Sequence, residues 1–336
     1  MGSGEEALIA KIVSIFGPGV GAVGIGDDAA VIDLGSSAVV TNDLLIENVD
    51  FTREIPLEFT ARKSLAVNVS DLAAMGATPH AFVLALGIPE ELVESMDGFL
   101  RALHAAAERW GLSLIGGDLS ASRALTISIT AFGRLTAGAA MLRSAAEPGQ
   151  SIYVSRPLGA AACGLHLLSR GWKILPGGQV VEPEDLAGKI GYGHREFAAS
   201  VIHRQVAPEP EFELGPRLGE MPGTACIDIS DGLSTDLMRI CRASGVGAIL
   251  ESDRIPRFPD LDRAGFSLGA DVDAAVLHGG EELALLFTSR ARESELSGRL
   301  GRPVYRIGRI VEGDRVTLAS PGGERNLAPG GFDHFN

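Results

Sequence analysis

The chain has 336 residues, 46% of them hydrophobic and 21% charged, a globular composition with length for about two domains. Lys plus Arg total 29 against 43 Asp plus Glu, a formal net charge of −14 with no basic stripe, which excludes a non-specific nucleic-acid binder and a protein built to dock on anionic membranes. The 43 glycines and 5% aromatics favour tight turns and backbone close to a ligand over aromatic stacking platforms.

Leu8, Ile9, Ile12, Val13 and Phe16 predict a helix over 5–16. This stretch lacks the basic and apolar regions of a secretion signal, and no 18-residue apolar run occurs, so a cytoplasmic protein without membrane spans is expected. Gly19, Gly21 and Gly24 satisfy a dinucleotide-binding spacing, but a helix precedes them and a strand-like GDDAAVIDL follows, the reverse of what that fingerprint needs. No GxxxxGK[ST] loop occurs. AAVIDL and AVVTND read as short strands, 57–75 as a long helix stopped at Gly76, 80–89 as a buried strand and 90–110 as a second long helix. SLIGG and ALTISITAFGRL read as further strands.

A break at Pro148-Gly149 divides the chain into 1–147 and 148–336. Beyond it, SIYVS, TACIDIS, VGAILES, ELALLFT and VYRIGRIV read as strands. GAAACGLHLLSR, GLSTDLMRICRAS and RESELSGRL read as helices, and the Gly- and Pro-rich 171–195 as surface loop. Each half mixes strands and helices, which predicts two α/β sandwich domains. Cys163, Cys226 and Cys241 show no CxxC spacing and fit a reducing compartment as small packed hydrophobes. The histidines show no metal-ligand spacing and are expected to be structural or exposed.

Short Gly- or Ser-rich turns repeatedly place an Asp at a strand end or beside a helix: Gly26-Asp27-Asp28, Thr41-Asn42-Asp43, Asn68-Val69-Ser70-Asp71, Gly116-Gly117-Asp118 and Asp228-Ile229-Ser230-Asp231-Gly232. Each alone is an ordinary turn or cap, but five in one chain suggest a common cleft. In the 57–75 helix Leu65, Val69 and Leu72 form the apolar stripe, with Asn68 and Asp71 on its flank. Converging carboxylates repel unless cations neutralise them, and hard oxygen donors suit Mg²⁺ with a nucleotide's phosphates, which points to phosphoryl transfer. Arg143 is a candidate phosphate clamp, and the helix after Gly232 is expected to offer N–H groups to a phosphate. Glu281 is placed to meet a cationic substrate and Phe332 to cover a ring.

GIGDDAAVI, TNDLLIENVDF, NVSDLAAMGATP, IGGDLS, LRSAAEPGQ, IDISDGLSTDL, HGGEELALLFT and GFDHF occur in an order that resembles the thiamine-monophosphate kinases, within the aminoimidazole ribonucleotide synthetase and selenophosphate synthetase superfamily. The resemblance implies two α/β domains of that type, a homodimer through the N-terminal domain, and γ-phosphoryl transfer from ATP to thiamine monophosphate with several Mg²⁺ ions. By motif, Asp28, Thr41, Asn42, Asp43, Asp71, Asp118, Asp228 and Asp231 would ligate metal. Gly117, Asp118, Arg143 and Ser230 would contact ATP, and Asp50, Glu281 and Phe332 the acceptor. The chain departs from the family pattern with Asp50 for a usual His, GGEELAL for GGEDYEL, Leu119 in GGDL, Asn42 in TND and Phe332 for a usual Trp or Tyr. A sister phosphotransferase with another small acceptor and a catalytically silent nucleotide-binding protein stand as alternatives.

Overall fold

The computed structural model describes residues 30–33, 37–135, 139–187, 189 and 191–332. The expected helix over 5–16, the early glycine pattern and Asp28 lie outside them. The first sheet comprises β1 (Ala30–Asp33), β2 (Ser37–Ile46), β3 (Thr78–Ile88), β4 (Ser113–Ala121) and β5 (Thr126–Arg134), in the order β1-β2-β5-β3-β4. Only β3 and β4 pair parallel within it. Helices α1 (Leu57–Ala74) and α2 (Met96–Trp110) pack on this sheet, joining Leu65, Val69 and Leu72 to Ile127, Ile129, Phe99 and Trp110 in one core.

Pro56 starts α1, and Gly76 ends it with a φ of 76°, where a side chain would be strained. The expected stripe is fully buried, but so are Ser64, Asn68, Ser70, Ala73 and Ala74. The reason is that α1 is wedged between the first sheet and the second half of the chain, so a single-face reading describes only half of its surroundings.

The second sheet contains β6 (Ser151–Val154), β9 (Cys226–Asp228), β10 (Gly247–Glu251), β11 (Leu285–Ser289), β12 (Tyr305–Val311), β13 (Val316–Ser320) and β14 (Gly323–Asn326). Its order is β14-β13-β10-β12-β6-β11-β9. Strands β7 (Lys173–Ile174) and β8 (Val180–Val181) make a small separate hairpin. The helices of this half are α3 (Ala160–Ser169), α4 (Tyr192–Val206), α5 (Leu214–Gly219), α6 (Leu233–Ser244), α7 (Val272–His278) and α8 (Glu293–Leu300). The three cysteines are buried in this half.

Several sequence expectations shift. The helix expected over 90–110 divides into a 3-10 turn, Glu90–Ser95, and α2, and the 171–195 loop contains the β7–β8 hairpin and the start of α4. Strand β11 begins only at Leu285, because Glu281 and Leu283 adopt φ values of 62° and 47° that break regular pairing before it.

A third buried cluster joins the halves: Ala73 and Ala74 of α1 meet Leu214 and Leu218 of α5 and Tyr153 and Phe287 of the second sheet. Tyr153 stacks on Phe287 with ring centroids 5.4 Å apart. Phe287→Ala is expected to cost about 3–5 kcal/mol as lost burial plus a cavity. The drop should appear as a lower midpoint in denaturant unfolding, and an unchanged midpoint would contradict it.

Candidate active site

A cleft of about 820 Å³ is lined from both halves. Asp43 reaches it from β2, Asp71 from α1, Asp228 from the end of β9, and Ser230 and Asp231 from the turn that follows. Alternation along β2 puts Thr41 and Asp43 on one face and Asn42 on the other. Thr41 is buried and its hydroxyl donates to Asp71 Oδ2 at 2.5 Å. The Asn42 amide donates instead to Ser128 Oγ, Ile129 O and Thr130 Oγ1 at 3.1, 3.0 and 2.8 Å. One residue before Asp71, the Ser70 hydroxyl donates to Asp228 Oδ2 at 2.6 Å, so adjacent residues of α1 belong to the first-half and second-half carboxylates.

The turn at 230–232 is built from within α6. Asp236, fully buried, accepts from Asp231 N at 3.1 Å and Gly232 N at 3.0 Å, and its other oxygen takes Arg239 at 2.8 Å. Asp236 thus occupies the N–H groups of Asp231 and Gly232, which precede the first turn of α6. Arg239 also pairs with Asp231 Oδ2 at 2.5 Å. Burial opposes the Arg239 charge, but Asp231 and Asp236 outweigh it and raise the guanidinium pKa above its ordinary value. Arg143, in the 3-10 turn Arg143–Ala145, acts electrostatically on Arg239 from beside α6 and does not line the cleft.

Glu281 is held from two elements. Lys63 of α1, nearly buried, pairs with its Oε1 at 2.5 Å, and Gln205 of α4 donates to its Oε2. The Glu281 backbone N–H donates to Ser230 O at 2.7 Å, which ties this loop to the aspartate turn. Asp50 lines the cleft while its Oδ2 accepts from Ile46 N at 2.7 Å. Phe332 lines the cleft beside Gly330 and Gly331. His278 also lines it and bonds Ser234 Oγ at 2.8 Å, so this histidine has a place at the site that the sequence reading did not give it.

Asp118 and Gly117 stand apart. They lie on β4, exposed along its whole length at the sheet edge, outside the cleft lining. Among the described residues no three Asp, Glu, His or Cys side chains form a ready metal-holding group. Of the cleft carboxylates, Asp71 and Asp228 take the hydroxyls of Thr41 and Ser70, and Asp231 takes the Arg239 guanidinium.

Glu282 lies behind the cleft. Its Oε1 accepts from Gly159 N at 2.8 Å and Ala161 N at 2.9 Å at the start of α3. Burial pushes its carboxyl up to about 7 from an ordinary 4.5, against these two N–H groups and the Arg156 and Arg204 charges. A raised carboxyl value in the folded state means the native protein holds a proton that the unfolded chain releases between about 4.5 and about 7. Stability is therefore expected to fall as pH rises through that window. Glu282→Gln keeps an acceptor for both N–H groups and should flatten the decline in thermal midpoint, and an identical pH dependence in both proteins would contradict this.

The chain is 33% identical over 324 residues to the thiamine-monophosphate kinase of Salmonella typhimurium, covering 93% of this chain and 91% of that protein. The chain belongs to the thiamine-monophosphate kinase family. The kinase of Bacillus subtilis is 30% identical, covering 93% of both chains. Family models for AIR synthase related protein match its N-terminal domain over 26–135 and its C-terminal domain over 193–320. A solved structure, AaThiL complexed with AMPPCP and TMP, superposes with a TM-score of 0.82 at 28% identity, covering 99% of this chain and 97% of that one. Within this thiamine-monophosphate kinase relative the GGEELAL departures mostly avoid the cleft. Glu282 caps α3 and Ala284 is fully buried, while Leu283 alone of the three both packs and lines the cleft.

Proposed function

We propose that this chain transfers the γ-phosphoryl group of ATP to the phosphate of thiamine monophosphate, giving thiamine diphosphate and ADP. The observation that carries this reading is the cleft itself. Asp43, Asp71, Asp228 and Asp231, distant in sequence, line it together with Glu281 and Phe332, in a chain whose relatives are named for that reaction.

The donor set fits a hard divalent cation: the cleft carboxylates and the Thr41 hydroxyl are all oxygen donors. Asp43, Asp71, Asp228 and Asp231, with Thr41 and with Asp28 of the undescribed segment, are assigned to hold magnesium, completed by phosphate oxygens of the substrates. Bound there, magnesium supplies neutralisation of the triphosphate charge. Asn42 and Asp118 belong to the same assignment by motif only.

A phosphate oxygen of the acceptor attacks the γ-phosphorus as the bond to the β–γ bridging oxygen breaks, so no protein nucleophile is required. The chain's own contribution is positioning. Ser230, in the cleft lining, is assigned to ATP, and Arg143 and Gly117 share that assignment by motif only. Glu281, held by Lys63 and Gln205, and Asp50 offer negative charge to the cationic thiazolium, while Phe332 covers a ring at the cleft mouth.

We assign 1–147 to the ATP, metal and dimerisation unit and 148–336 to the unit that completes the site. The 147/148 boundary lies between the end of β5 and the start of β6. A homodimer that covers β4 fits its open edge and its exposed Leu114, Ile115 and Leu119. A cytoplasmic location is part of the same reading. Among the described residues no helix is long and apolar enough to cross a membrane.

The test is steady-state turnover with ATP and magnesium across thiamine monophosphate, thiamine and unrelated small phosphates. The expected result is preference for thiamine monophosphate. Turnover confined to another acceptor would replace that substrate, and nucleotide binding without turnover would remove the kinase reading.

A further inference from the structure

At the acidic end of the cleft one cation is shared by two unequal carboxylates. A single nitrogen of Arg239, Nη1, lies 2.5 Å from Asp231 Oδ2 and 2.8 Å from Asp236 Oδ1. Asp236 is fully buried, and its second oxygen accepts from the N–H groups of Asp231 and Gly232. A buried carboxylate stripped of its cation is costly, so Asp236 anchors Arg239 where it stands. Asp231 is 23% exposed and lines the cleft, so it can exchange the guanidinium for another cation without that cost.

Two other aspartates of the cleft are held without charge. Asp71 and Asp228 accept from the hydroxyls of Thr41 and Ser70, which supply a hydrogen bond and no positive charge. Among the described residues the one Lys or Arg in the cleft lining is Lys63, and it pairs with Glu281. Asp231 is thus set apart from Asp71 and Asp228 by a positive charge already against it. A divalent ion and a guanidinium on one carboxylate repel each other at a few ångströms.

We infer that Arg239 is a positioning residue that acts through Asp231 as a resident counter-ion: it fixes this carboxylate in the metal-free protein and lowers its affinity for magnesium until a triphosphate brings compensating negative charge. The inference rests on the magnesium assignment of the proposed function and deepens it by making the metal positions unequal. Asp71 and Asp228, with neutral partners, take a divalent ion in the nucleotide-free protein. The Asp231 position fills together with ATP, so the full set of ions assembles only around the nucleotide. Asp236 serves by keeping the arginine in reach of Asp231.

The experiment is calorimetric titration of the full chain with magnesium alone, for wild type, Arg239→Gln and Arg239→Lys, each checked by a thermal melt. Gln keeps a donor for the carboxylates and removes the charge, whereas Lys keeps the charge without the planar fork. Arg239→Gln should tighten magnesium binding by ~5-fold or more, the lower end of what one unit charge a few ångströms away contributes. Arg239→Lys should bind as wild type does, and a bound non-hydrolysable ATP analogue should narrow the gap between wild type and Arg239→Gln. A merely structural arginine predicts the reverse, a weaker site once Asp231 is loosened. Weaker or unchanged binding in Arg239→Gln, or equal tightening in Arg239→Lys, would overturn the inference. If Arg239→Gln does not fold, wild type still decides. Its Arg239 guanidinium resonance, identified by its loss in Arg239→Lys, should move further with the ATP analogue plus magnesium than with the analogue plus chelator, and equal positions would overturn the inference. Turnover separates the two levels. Tighter magnesium binding in Arg239→Gln, in a protein whose wild type does not turn over thiamine monophosphate, would leave the counter-ion standing and remove the proposed reaction. Wild-type turnover with unchanged magnesium affinity in Arg239→Gln would do the opposite.

Discussion

Asp71→Asn is expected to lower turnover of thiamine monophosphate by ~100-fold or more, the scale on which one preorganised electrostatic contact acts in a transition state. Asp71 combines the features that make such a loss severe. It sits on α1, which is fixed on both sides by packing, and it lines the cleft with the Thr41 hydroxyl already donating to one carboxylate oxygen. Asn has the same shape and retains an oxygen for Thr41, so the fold should be nearly unaffected. What is removed is one negative charge and one anionic oxygen facing the space assigned to magnesium and triphosphate. The measurement is kcat and kcat/KM across a magnesium titration, alongside a thermal melt. A large loss with a wild-type melt is the expected pattern, and near-normal activity would contradict the role assigned to Asp71.

Gly331→Ala is expected to raise the KM for thiamine monophosphate by ~10-fold or more, about 1.4 kcal/mol of binding, while changing the KM for ATP far less. A Cβ at Gly331 would lie 1.9 Å from Asp231 O and 2.7 Å from Thr235 Oγ1, so the methyl has no room against rigid backbone. The tail is seated by short polar contacts. Gly331 N donates to Thr235 Oγ1 at 3.1 Å and Gly330 N to Ser234 Oγ at 3.3 Å, with His278 on the same hydroxyl. Displacing this segment moves Phe332 from the cleft lining without touching the sheets. Phe332→Ala should reproduce the acceptor defect. Equal effects on both substrates, or none, would show that the seat of the tail does not serve the acceptor.

Much of this site was legible in the sequence because its carboxylates come in short turns that carry their own geometry. Asp71 follows Ser70 on a helix whose core stripe is readable, and the turn ending in Asp231 follows the buried strand that ends at Asp228. What pairs with them was not legible. Lys63 meets Glu281 and Ser70 meets Asp228 across long stretches of chain, and nothing local marks such partners. Asp236 and Arg239 were closer to hand, since one charged residue three after another on a helix is a recognisable pair. The alternation of Thr41, Asn42 and Asp43 along β2 could also have separated Asn42 from its neighbours. Helix α4 escaped notice because its buried residues face α3 on one side and the β8 region on another, which weakens any single stripe. The acceptor side was the least legible. Glu282 looks like a cleft residue by its motif, but it caps α3 from behind.

The most direct measurement follows the γ-phosphate of labelled ATP through a single turnover, with the protein in excess, thiamine monophosphate present, and magnesium either supplied or chelated. The expected result is label in thiamine diphosphate with magnesium and none with chelator. Label found in inorganic phosphate alone, or transfer undiminished when divalent ions are stripped away, would contradict a cleft whose aspartates gather cations around two phosphorylated substrates.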